Sequence, residues 1–183
     1  MVHVARRLLG AFVVLAIVAG ATLALSSRPR LETDRRAVER DWSAVRPGLD
    51  ARYRLVHALA GAIDAANGPK NPIVAEVDAA YARWQAVSSS KPVAHAISAA
   101  NTLEGLARRL DVTVTDSLLL KADKSVTNAQ HAVTVAEIPS AGVSALNDAV
   151  SKYEKGRGGP VRRLVAGPLG FEAIPRLALA TGG

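Results

Sequence analysis

The chain has 183 residues, a formal net charge of +7 and no cysteine, which excludes disulfides, thiolate metal sites and a cysteine nucleophile. Two Trp, three Tyr and two Phe are too few for an aromatic platform that reads single-stranded RNA, so no nucleic-acid partner is expected. Acids and bases interleave along most of the body, which describes solvated helix faces rather than one large polyanion-binding surface.

Residues 8–27 carry no charge and are dense in Val, Leu, Ile and Ala. At ~1.5 Å per residue such a run makes a helix of about 30 Å, the hydrocarbon thickness of a bilayer. We expect residues 1–27 to form an uncleaved membrane anchor and residues 28–183 to form a helical domain tethered to lipid by it. A cleavable export signal ending near Ala19-Gly20-Ala21 is the alternative, although apolar residues continue through Leu23 and Leu25. Arg6 and Arg7 precede the run, whereas Arg28, Arg30, Arg35, Arg36 and Arg40 follow it. The larger basic cluster favours a cytoplasmic body, with the exported side as the other orientation. Ala16, Gly20 and Ala24 share a helix face of the kind that lets two membrane helices pair, but Ala and Gly are common in such segments and the spacing is read as chance; a homo-oligomer stays an open expectation.

Beyond the anchor, the spacing of apolar residues predicts an all-α body. Residues 31–45 read as a charged helix capped by Thr33 or Asp34, ended by Pro47-Gly48. In residues 49–66, Leu49, Tyr53, Val56, Ala60 and Ile63 alternate at four and three, giving one apolar stripe. Asn67-Gly68-Pro69 and Asn71-Pro72 punctuate the chain, and Val74, Val77, Tyr81 and Trp84 line the next helix. After the Ser88–Pro92 loop, residues 93–110 form a third segment with Val93, Ile97, Ala100, Leu103 and Leu110 inward.

Residues 112–115, Val-Thr-Val-Thr, are the one β-like run, and Thr115 or Asp116 is expected to cap a helix over 117–137. That helix would turn Leu119, Ala122, Val126, Ala129, Val133 and Ala136 inward, and Pro139 would stop it. Val143, Leu146, Val150 and Tyr153 line the last helix. In the Gly- and Pro-rich tail, Leu164, Leu169, Phe171 and Leu177 are expected to fold back onto the bundle end. Such stripes specify antiparallel helices packed side by side.

Two stretches together resemble the LemA family of bacterial membrane-anchored helical proteins. The first holds Arg36, Val38, Trp42-Ser43, Val45, Leu49, Arg52-Tyr53, Leu55-Val56 and Leu59. The second holds Ala149-Val150, Lys152-Tyr153, Leu164-Val165-Ala166, Gly170-Phe171 and Pro175. Departures occur at Ala37, Ala51, His57-Ala58 and Glu154, where the family usually carries Asn, Arg, Pro-Asn and Asn. Residues 61–146 match in helical character only. The resemblance implies a divergent member: a single-pass membrane protein with a helical bundle and a poorly defined molecular activity.

Candidate chemistry is sparse. His3, His57, His95 and His131 lack metal-ligand spacing and read as partly exposed helix residues. No cofactor or catalytic constellation is indicated, so the chain is read as a non-enzyme. Lys152, Lys155, Arg157, Arg162 and Arg163 form the main basic excess, a candidate surface for anionic lipid or phosphate. Trp42, Tyr53, Trp84 and Phe171 are candidate packing or interface anchors, and Arg52 is expected to pair with Asp50, Asp64 or an acid on a neighbouring helix. The leading expectation is a scaffold that docks an unidentified protein at the cell membrane.

Overall fold

The structure, a computed structural model, describes residues 2–67, 71–136, 138–158 and 170–179, with side chains from residue 28 onward. The expected anchor therefore lies outside the fully described residues. Among the described residues no helix is long and apolar enough to cross a membrane.

The described elements are all helical: α1 (Val2–Asn67), α2 (Pro72–Val87), α3 (Val93–Asp116), α4 (Leu118–Ala122), α5 (Lys124–Val135) and α6 (Ser140–Arg157). Helix α1 is the central element and touches each of the other five. Its buried stripe runs through Leu31, Val38, Trp42, Val45, Leu49, Tyr53, Val56, Ala60 and Ile63. The stripe keeps one phase from end to end, which one unbroken helix requires.

The break expected at Pro47-Gly48 does not occur, and neither Thr33 nor Asp34 begins a helix. Pro47 removes one backbone bond, but Pro47 and Ser43, whose carbonyl loses its partner, are both exposed to water. Trp42, Val45 and Leu49 stay buried on the opposite side, and their packing holds the helix straight through. Tertiary burial overrides the local breaker.

Antiparallel packing places α2 and α3 on one flank of α1, with α5 and α6 also against it. Helix α6 approaches α1 unusually closely at two glycines. A Cβ at Gly142 would stand 3.3 Å from Val45 Cγ2, and one at Gly156 would stand 3.2 Å from Leu31 Cδ2. Among the described helices α6 packs on α1 alone, and α3 and α6 do not meet.

The segment expected as one helix over 117–137 is two. Asp123 adopts extended backbone (φ −80°, ψ 117°), and its carboxylate accepts from the N–H groups of Ser125 and Val126, starting α5. Ser117 similarly starts α4 by accepting from Leu120 N–H, and the β-like 112–115 run completes α3. The break changes the helical phase. Leu120 is buried, whereas Leu119 and Ala122, expected inward, are exposed. In the tail, Phe171 and Leu177 are buried together with Ile174, while Leu164 and Leu169 lie outside the described residues.

Candidate functional site

Three groups of side chains carry the polar chemistry of the bundle. The first is an aromatic and ionic knot at its middle. Trp42 and Trp84 meet edge to face with centroids 5.9 Å apart, and Tyr53 meets Trp84 at 4.8 Å. Each indole N–H is satisfied: Trp84 donates to Asp50 Oδ1 (2.9 Å) and Trp42 to the Ser88 carbonyl (3.3 Å). The Tyr53 hydroxyl donates to the Ala100 carbonyl at 3.2 Å. Burial, then the nearby Glu104 charge and its hydrogen bond, push the Tyr53 phenol far above its usual range, so it stays neutral.

Arg52 completes this knot. Its Nε lies 3.0 Å from Glu104 Oε1 on α3, and its Nη1 donates to the Val133 carbonyl on α5 at 2.9 Å. Val133 stands in the last turn of α5, where carbonyls lack helical partners, so one guanidinium neutralises a buried acid and closes a helix end. Glu104 has no exposed surface and Arg52 only 11% of its side chain. Of the partners expected for Arg52, the acid on a neighbouring helix is the one present; Asp50 serves Trp84 instead.

The second group holds the C-terminal strap, residues 170–179, which enters through Gly170 at a positive φ of 76°. Phe171, Ile174 and Leu177 are buried at every third position. Tyr153 Oη donates to the Glu172 carbonyl (2.8 Å), and Glu154 Oε1 accepts from Ile174 N–H (2.9 Å). The Asn147 amide takes both the N–H and the carbonyl of Leu177, each at 2.9 Å. The Asn101 amide takes the Arg176 carbonyl and the Ala178 N–H, each at 2.8 Å. Asn101 belongs to α3 and the other three to α6, so the strap bridges two helices that do not otherwise meet.

The third group is basic. Of the expected cluster, Lys152 pairs with the buried Asp34 at 3.2 Å, and Arg157 pairs with Glu154 at 3.2 Å. Lys155 is exposed and forms no ion pair among the described residues; Arg162 and Arg163 lie outside them. The structure thus commits two of the five cations to ion pairs, the exposed Lys152 holding α6 on α1 and Arg157 bracing Glu154. A different basic cleft, of about 400 Å³, is lined by Arg36, Arg40, Arg46 and Lys91 with Ser88, Ser89 and Ser90. Arg46 bonds the Ser89 hydroxyl through Nη1, and its buried Nε has no hydrogen-bond partner. Arg36 was visible in the sequence as part of the basic cluster after the anchor; the Ser88–Ser90 wall was not, because the chain turns there only in three dimensions.

Among the described residues no group of three or more His, Asp or Glu is arranged to hold a metal ion. His57 stacks on Tyr81 (centroids 4.6 Å apart) and lies 3.1 Å from Asp78 at the surface. Arg109 and Glu76 pair across α2 and α3, and the hydrogen bond from Arg109 lowers the Glu76 carboxyl below its ordinary value. Four large apolar residues stay exposed: Val112 near the end of α3, Leu118 (85%) and Leu119 on α4, and Val135 at the C-terminal end of α5. Comparison with protein families, curated proteins and solved structures finds no match.

Proposed function

We propose that this chain is a non-enzymatic, single-pass, membrane-anchored bundle, similar to the LemA family, that docks other proteins at the bacterial membrane. The uncharged run of residues 8–27 supports the tether. The observation that carries docking is the exposure of Leu118 and Leu119 side by side on α4, which buries only Leu120 of its three leucines. Recovery of the chain from membranes in mild detergent with a reproducible partner, lost on Leu118→Glu and Leu119→Glu, is the expected result. No reproducible partner overturns the docking reading; recovery of the full chain in the aqueous fraction overturns the tether.

A second reading is binding of an anionic headgroup or phosphate. The Arg36, Arg40, Arg46 and Lys91 cleft favours it: Lys91 pairs with Glu39 and Arg40 with Asp41, which leaves Arg36 and Arg46 without an ion pair among the described residues. It predicts salt-sensitive binding to anionic vesicles that weakens on Arg36→Glu with Arg40→Glu. Loss on Arg162→Glu with Arg163→Glu instead would return the site to the C-terminal cluster. Binding unchanged in both variants removes this reading.

A further inference from the structure

The strap is held in an unusual way. Six of its main-chain groups are bonded by four side chains, Asn101, Asn147, Tyr153 and Glu154, and none of those bonds reads a strap side chain. Asn147 engages both polar groups of one residue, and Asn101 engages the residues on either side of it. Two amides on separate helices therefore clamp residues 176–178 between them. Bonds to the main chain fix register without regard to sequence, and alternate pockets supply selectivity.

The strap's side chains engage the site at four positions: Arg176 donates to Ser151 Oγ at 2.6 Å, and Arg35 lies over the Phe171 ring, 5.6 Å from its centroid. Phe171, Ile174 and Leu177 enter the groove, while Glu172, Ala173, Arg176 and Ala178 are exposed. Beside them a cleft of about 320 Å³ remains, bounded by Arg35, Lys91, Val93, Ala94 and the strap itself. The groove is wider than the segment lying in it. Its walls, α3 and α6, have no direct contact that would close it when the strap leaves.

We infer that the α3–α6 groove is a peptide-binding site, and that the strap is its resident intramolecular occupant. The ligand class is a non-helical segment of a partner protein, with large apolar residues at three consecutive third positions, a cation just before the last of them and unrestricted residues elsewhere. This goes beyond the docking reading, which rests on Leu118 and Leu119, by assigning a second site lined by other residues. A tethered occupant acts at an effective concentration of about millimolar, so free peptide must compete with it and binding is graded by how firmly the strap is seated.

The test uses the full chain in mild detergent and a fluorescent peptide of residues 170–179, read by anisotropy. Phe171→Ala with Leu177→Ala removes two of the strap's three buried anchors and keeps the four clamping side chains. It should bind the peptide at least tenfold more tightly than the wild type. Adding Asn101→Ala and Asn147→Ala should abolish that gain. A peptide whose Glu172, Ala173 and Ala178 are replaced by Ser should bind within a few fold, and one with its apolar residues shifted by one position should not bind. Equal binding of native and shifted registers, or loss on replacing those three residues, overturns the inference.

Should the double variant lose helicity, hydrogen exchange on the wild type decides the matter. Excess peptide should speed exchange at the amides of Ile174, Leu177 and Ala178; no change there overturns the site. The docking reading stands or falls separately, because a failed membrane pull-down leaves this peptide measurement untouched.

Discussion

Replacing Arg52 by Met tests the buried knot most directly. The substitution keeps much of the side-chain stem but takes the Arg52 guanidinium away from Glu104, which has no exposed surface, and strips the Val133 carbonyl of its donor. Breaking a buried pair by removing one partner costs about 3–5 kcal/mol, because the remaining charge stays desolvated. For a domain of this size each kcal/mol moves the midpoint by roughly 2–4 °C, so the melting temperature should fall by about 6–20 °C. Thermal melts of the full chain in nonionic detergent, followed by circular dichroism at the helical band, measure this. Arg52→Met with Glu104→Met removes both charges and should recover most of the loss. A fall worth under about 1 kcal/mol, the value of a surface pair, would refute the reasoning, as would a double variant no more stable than the single one.

Pro47→Ala restores a missing backbone bond within a straight, exposed stretch of α1, and should raise the melting temperature, by up to the ~3 kcal/mol that separates Pro from Ala in a helix interior. A lower melting temperature would show that the proline ring fits the bundle better than the helix ladder does. The alkaline limb of stability should report the strap. Burial pushes the Tyr153 phenol up to about 12 from its ordinary 10.0, so the folded state favours the neutral form that donates to Glu172. That contribution is complete below pH 10 and disappears as pH rises from 10 towards 12. Tyrosinate absorbance and strap-amide exchange should rise together in that window, and Tyr153→Phe should remove the coupling.

The helical class was legible because burial and spacing coincide along α1, α2 and α6, where Leu49, Tyr53, Val77, Trp84 and Leu146 all fall where period 3.6 puts them. The reading failed where a local signal competed with packing. Pro47 is a strong breaker in isolation, but it costs one solvated bond against a stripe buried on both sides of it. Leu118-Leu119-Leu120 has no phase of its own; only the Asp123 cap decides which leucine turns inward. The clamp was illegible for a different reason. Asn101 and Asn147 are ordinary exposed-helix residues by sequence, and their shared function exists only once the tail is laid between α3 and α6. Lys152 shows the converse: a residue conspicuous for its charge is directed to Asp34 on the same bundle.

Helix α1 runs from Val2 to Asn67 with Pro29 and Pro47 inside it, so no loop separates the body from the apolar end of the chain. From Ser27 to Asn67 the rod extends about 60 Å. For a chain anchored as proposed, a tilt of ~20°, ordinary for a helix in lipid, would swing the distal end through about 20 Å. Bilayer thickness and lateral pressure would then steer the entire bundle as a mast is steered by its step. Inserting a few glycines after Ser27 would cut that linkage while leaving every contact within the bundle in place.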